Sequence, residues 1–288
     1  MRTDESAFGR RLMDAVPHVV LILGVLIFAF PIYITLIGST WDAGTIARGN
    51  LPLTPGGEML DNYARAWNET RGDRIIHTPV RIMMMNSLIM ALVIALGKIA
   101  ISIISAYAVA FFRFPLRMVF FWMIFITLML PVEVRIIPTY EVVANMGLID
   151  TYAGLTIPLI ASATATLLFR QFFLTIPDEL VEAAKIDGAG ALRFFVDVVL
   201  PLSRTNIAAL FVILFIYGWN QYLWPLLVTN SGDMETVVIG ITKMIGNGEA
   251  ATDWDLIMAT TVLAMLPPVA VVVLMQRWFV KGLVDSEK

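Results

Sequence analysis

The chain has 288 residues, of which 58% are hydrophobic and 15% charged, and its mean hydropathy is +0.80. A soluble domain is nearer half apolar and a quarter charged, so the composition excludes a soluble globular class and specifies a membrane protein. With no cysteines there can be no disulfide, thiolate metal site or cysteine nucleophile, and a net charge of −3 leaves no footprint for nucleic acid.

Residues 1–16 are polar and carry Arg2, Arg10 and Arg11. The first apolar run, residues 18–37, is long enough to cross a bilayer core, which takes about 20 residues. It lacks a small-x-small cleavage site immediately after it, so an uncleaved first span is expected. Residues 38–80 form a polar loop with Pro52, Pro55, Gly56 and Gly57, whose latter part reads as a short surface helix with Tyr63 and Trp67 as interfacial anchors. The second span covers residues 83–112 and holds Lys98 near its middle. Arg113 and Arg117 bracket Pro115 in a tight turn before a third span over 118–138, with Pro131 inside it. The fourth span covers 152–174, the fifth 206–228 and the sixth 256–278. No internal repeat or linker divides the chain, so one all-α transmembrane domain over residues 1–288 is expected.

Between spans four and five lies a polar island, residues 175–205, patterned as helix, turn and helix. Pro177 suits the first helical position, where no backbone donor is needed. Asp178 and Glu179 favour the positive end of the helix dipole, and Gly188 falls where a left-handed residue would stop the helix. Ala183 and Ala184 offer a surface that a partner can approach closely. So small a hairpin cannot bury a core of its own and should dock on something.

Six spans place both termini on one side of the membrane. That side carries twelve Lys and Arg residues against seven opposite, and the short loops, which decide orientation, put the termini and the 175–205 loop in the cytoplasm.

Three polar features interrupt the apolar spans. Lys98 costs roughly 2.5–3.5 kcal/mol at a helix centre on insertion scales, so it should face protein or water. It can neutralise an anion in a pathway, pair with a carboxylate, or snorkel. Glu133 and Arg135 precede Pro138, where the helix is expected to break or end. They form either part of an aqueous entrance or an interfacial ion pair. Trp219, Asn220, Gln221 and Tyr222 alternate rings and amides, which suits a polyol-binding wall, although amides also join helices in membranes. Catalytic chemistry finds no footing. His18 and His77 fall on opposite sides, and there is no P-loop, zinc spacing or nucleophile elbow.

Glu182, Ala183 and Ala184, then Gly188, Val198, Leu200 and Pro201, resemble the loop that marks the permease subunits of bacterial ABC importers. Val198 stands where that pattern commonly has Ile. Asn86-Ser87, Ala106-Tyr107-Ala108 with Arg113, and Trp219-Asn220 with Pro225 are similar to the maltose-permease-like carbohydrate family. Phe114 to Arg117, Leu130 to Arg135, Arg170 to Phe173 and Gly282 to Lys288 are similar, more narrowly, to second permease subunits of sn-glycerol-3-phosphate importers. The first external loop matches least.

The resemblance implies the six-helix type I importer fold, with a coupling helix at Glu182, Ala183, Ala184, Asp187 and Gly188 seated in a cytoplasmic ATPase subunit. It implies a second, different permease, two ATPase copies that use ATP and Mg, and an external binding protein, in a bacterial inner membrane. This chain would itself hold no cofactor, metal or catalytic residue. Its pathway would carry sn-glycerol 3-phosphate or related glycerophosphodiesters, or alternatively a neutral sugar or polyol. Lys98, Glu133, Arg135, Trp219, Asn220, Gln221 and Tyr222 are the pathway candidates. A phosphate ester would give Lys98 and Arg135 a meaning.

Overall fold

In a bilayer no water satisfies exposed backbone N–H and C=O groups, so long apolar runs close their own hydrogen bonds as helices. The computed structural model describes residues 3–49, 51–68, 78–127, 130, 132–245 and 252–285, less the side chains at 3–15, 132–133 and 279–285. Among the described residues every regular element is helical. The chain forms two compact units, Met1–Glu69 with Met244–Leu263, and Thr70–Lys243 with Ala264–Lys288.

In the first unit, helix α1 (Thr3–Gly38) begins well before the expected span, and its apolar crossing segment is Val16–Gly38. That segment is exposed along most of its length, Phe28 at 80%, as suits a helix facing lipid or another subunit. A short α2 (Ala43–Ala47) is capped by Asp42, and α3 (Met59–Asn68) follows. Buried Asn62 donates its amide hydrogens to the carbonyls of Ser39 at 3.1 Å and Trp41 at 2.9 Å, which satisfies the end of α1. Trp67 is exposed, as an interfacial anchor should be, whereas the Tyr63 hydroxyl is drawn inward to Ser39 Oγ at 3.0 Å. Arg65 pairs with Asp255 at 3.2 Å.

The second unit is built on α4 (Val80–Phe111), a continuous apolar helix that packs along two bent partners. After α5 (Arg117–Ile126) and α6 (Val132–Asn145), the first bent partner runs from α7 (Tyr152–Thr156) into α8 (Ala163–Phe173) through a 46° break at residues 160–162. Ser102 of α4 donates to the Ser162 carbonyl at 3.1 Å, and the Ser162 hydroxyl caps α8 by accepting from Ala165 at 3.3 Å. The second partner is α12 (Arg204–Trp219), where Gly218 sits so close that a Cβ would lie 2.9 Å from Ala91 Cα. Only hydrogen allows these two backbones to meet, the usual way membrane helices gain contact.

Besides the bent fourth span, two more of the expected spans are not continuous helices. The third is carried by α5 and α6, interrupted between Ile126 and Val132, and α6 runs through Pro138 instead of ending there. The carbonyl that loses its N–H partner to Pro138 is that of Val134, and the Thr139 hydroxyl, one residue on, donates to the Arg135 carbonyl at 2.7 Å. The fifth stops at Trp219 and resumes as α13 (Leu223–Val228), so its polar run is a helix break rather than a helix face. Helix α14 (Val237–Met244) and the long α15 (Trp254–Asp285), with Pro267 and Pro268 inside, complete the chain. Among the described residues α1, α4 and α15 each suffice by length and composition to cross a membrane, and counting each bent pair as one span gives up to five.

Candidate functional site

Two places in the second unit collect the polar features. The first is the 175–205 loop. Helix α9 (Asp178–Ile186) starts one residue later than the sequence suggests, with Pro177 at the N-cap position in extended backbone. Gly188 has φ of +70°, the left-handed value expected of it. Its N–H donates to the Lys185 carbonyl at 3.0 Å, and the Ala189 N–H reaches back to Ala184 at 2.8 Å. These two bonds form a Schellman cap, which satisfies carbonyls left free at a helix end. Glu182, Ala183, Asp187 and Gly188 are exposed and Ala184 partly so. Ile186, 86% exposed, adds an apolar knob at the end of α9.

The return arm is α10 (Ala191–Phe194), a π-helical turn over Phe195–Val199, and α11 (Leu200–Leu202). The π turn lies just ahead of Pro201, which has no N–H with which to continue a regular ladder. A 70° bend then leads into α12, with buried Ser203 donating to the Val199 carbonyl at 2.6 Å. The end of α4 forms the floor under this arm. The Tyr107 hydroxyl donates to the Ala191 carbonyl at 2.7 Å, and its ring lies 4.9 Å from that of Phe195. Phe111 meets Phe194 edge-on at 5.4 Å and Phe173 at 5.9 Å. Tyr107 was legible in the sequence only as part of a resemblance. Its role as the loop's support depends on which face of α4 turns inward.

The second place is a cavity of about 110 Å³ bordered by Lys98, Arg135, Thr139, Tyr217 and Gln221. Lys98 is only 7% exposed, and its Nζ lies 3.9 Å above the Tyr217 ring, a cation–π contact that partly replaces lost hydration. Arg135 is exposed at the cavity's edge. Both helix breaks also border it, through Pro158, Leu159 and Ala161 on one side and Gln221 and Leu223 on the other. No carboxylate is among the described lining residues. Glu133 lies in α6, and its side chain is outside the described residues.

Of the aromatic and amide run, Gln221 alone reaches this cavity, and its amide also donates to the Tyr217 carbonyl at 3.1 Å. Trp219 does not form a cavity wall. It is 2% exposed and stacked on Phe215 with ring centroids 6.0 Å apart, so it belongs to the core. Asn220 and Tyr222 are exposed and do not border the cavity. Trp224, which the sequence did not single out as a site residue, borders it and donates its indole N–H to the Gly154 carbonyl at 3.1 Å.

At the opposite end of α4 from Tyr107, buried Asn86 donates to the carbonyls of Asp233 at 2.7 Å and Glu235 at 2.9 Å. It also accepts from the Tyr152 hydroxyl at 2.6 Å, while Ser87 Oγ accepts from the Val237 N–H at 2.9 Å. Asp150 takes the N–H groups of Asn230 and Ser231 at 3.0 and 3.1 Å. Burial raises the pKa of Asp150, but those hydrogen bonds outweigh it and hold the carboxyl below its ordinary value of 3.8. Glu235 pairs with Lys243. Asn86 and Ser87 thus tie the stretch from Asp233 to Val237 to α4, and Asp150 ties residues 230–231 to the turn between α6 and α7.

Residues 98–285 match the family of binding-protein-dependent transport system inner membrane components. The chain belongs to that family. As a member of it, the chain is a membrane permease. It is 60% identical to the sn-glycerol-3-phosphate transport system permease protein UgpE of Rhizobium meliloti over 279 residues, 97% of this chain and 99% of the relative. The protein of the same name from Agrobacterium fabrum is 60% identical over 281 residues, and that of Yersinia pestis 57% over 280, with the same coverage. A solved structure of a bacterial ABC transporter involved in the import of the acidic polysaccharide alginate superposes with a TM-score of 0.81 at 21% identity. The match covers 94% of this permease and 98% of that chain. The fold is therefore the all-α type I importer permease fold.

Proposed function

We propose that this permease is one of two unlike transmembrane subunits of an ATP-driven importer for sn-glycerol 3-phosphate or related glycerophosphodiesters. The observation that carries the reading is identity of 57–60% over 97% of the chain to permeases named for that substrate. The subunit forms half of the pathway and carries no chemistry of its own. Two copies of a cytoplasmic ATPase, working with ATP and Mg, supply the energy, and an external binding protein delivers the ligand. The membrane is the bacterial inner membrane, the chain forms a single permease domain, and both termini lie in the cytoplasm.

Helix α9 is the coupling element, presenting Glu182, Ala183, Ala184, Asp187 and Gly188 to the ATPase. Its exposure, its Schellman cap and the aromatic floor under its return arm support that role. Reconstitution with the two ATPase copies, the second permease and the binding protein tests the proposal. The ester should stimulate ATP hydrolysis and enter liposomes. Stimulation by a neutral sugar or polyol, with none by the ester, would transfer the reading to a neutral-solute importer.

A further inference from the structure

The cavity between the two broken helices contains chemistry that the fold does not need. A buried ammonium and a guanidinium border one small space, and among its described lining residues there is no carboxylate to balance them. In a membrane interior such charges are costly, and paired or water-facing arrangements are the rule. Irregular backbone at this depth is likewise tolerated where it lines protein or a watery cavity, and discontinuous helices of this kind frame solute sites in other transporters. The cavity also holds the Gln221 amide, whose NH2 keeps one hydrogen beyond the one given to Tyr217, and is walled by Thr139, whose hydroxyl hydrogen goes to the Arg135 carbonyl. Its volume of about 110 Å³ is well above what a single water needs, so it has room for one small oxyanion head.

We propose that Lys98 and Arg135, with Gln221, form an anion site in this subunit, walled by Thr139, that receives the phosphoryl group of the translocating ester. The inference rests on the proposed substrate class and adds to it a selectivity step inside the membrane, beyond the binding protein. Arg135, exposed at the edge, meets the phosphate in a planar fork, and Lys98 deeper in supplies a point charge already held over the Tyr217 ring. A neutral polyol would leave both cations unbalanced and be disfavoured there.

The absence of cysteine makes a direct test possible. Thr139→Cys in the assembled importer, without nucleotide or binding protein, is alkylated with an uncharged maleimide. sn-Glycerol 3-phosphate and inorganic phosphate, titrated to about tenfold above their half-protecting concentration, should slow that alkylation by about tenfold, as saturation of one site requires. Glycerol should not. Adding Lys98→Gln or Arg135→Gln should remove the protection, and Lys98→Arg should keep it. Equal protection by glycerol, no protection by either anion, or protection that survives both Gln variants would overturn the site. Should Lys98→Gln prevent assembly, the exposed Arg135 provides the same comparison. An importer that transports the ester without such protection refutes this site alone, whereas one that never transports the ester refutes the proposed substrate.

Discussion

Replacing Gly188 with valine isolates backbone conformation from packing. A Cβ at this position would meet no atom within 4 Å, so collision with neighbours contributes nothing, and φ of +70° carries the whole effect. An L-residue in the left-handed region costs roughly 1–2 kcal/mol, with β-branched side chains among the worst suited. The alternative is to unwind the cap and lose the Gly188 to Lys185 and Ala189 to Ala184 bonds, 3.0 and 2.8 Å in the native turn. At about 0.5–1.5 kcal/mol each, that loss is comparable to the strain, so neither escape is favourable. The native turn should lose about 5–30-fold in population relative to unfastened forms. Because α9 is exposed and buries little, the rest of the subunit should insert and assemble normally. Transport should fall while basal ATP hydrolysis persists without responding to ligand. Gly188→Asn, which tolerates a left-handed backbone, should retain most of the coupling. Ligand-stimulated transport at the wild-type rate in the valine variant, or equal damage from asparagine, would refute the reasoning.

At the floor of the loop, Tyr107→Phe removes one hydrogen bond to Ala191, worth about 0.5–1.5 kcal/mol, whereas Phe194→Ala removes a buried ring worth about 3–5 kcal/mol. Thermal denaturation of the purified complex should rank them in that order, and the reverse ranking would mean the aromatic floor is not what supports the arm. Asp150→Ala should speed hydrogen exchange at Asn230 and Ser231, whose N–H groups it accepts. In the wild type the folded pKa lies below 3.8, so this fastening is complete above the unfolded value and lost as pH falls through the lowered one. Protection of those amides that begins to fade above pH 5 would contradict the assignment, a limit about one unit above the ordinary aspartate value. Cysteines at exposed Gly190 and Asn230 should react with an impermeant reagent from opposite faces of intact cells, Asn230→Cys from outside. Labelling of both from outside would overturn the orientation.

What the sequence determined by itself was everything set by neighbours along the chain. The membrane class follows from composition. Gly188 was legible because a helix must stop, and only a few residues accept the left-handed stop that the Schellman cap requires. The long apolar runs located α1, α4 and α15, since span length is fixed by bilayer thickness. Tertiary structure decided which way each helix faces. Helix α12 is apolar nearly all round, so no periodicity marks its inward side, and Trp219 turned into the core while Gln221 reached the cavity. It also decided that α6 would run through Pro138. The meeting of Lys98, Arg135, Tyr217 and Gln221 joins positions 98 to 221 through three separate elements and a helix break. No local rule brings them together. Close packing does so, when a glycine at 218 lets α12 lie against Ala91 of α4 and thereby sets which side chains share the space above that contact.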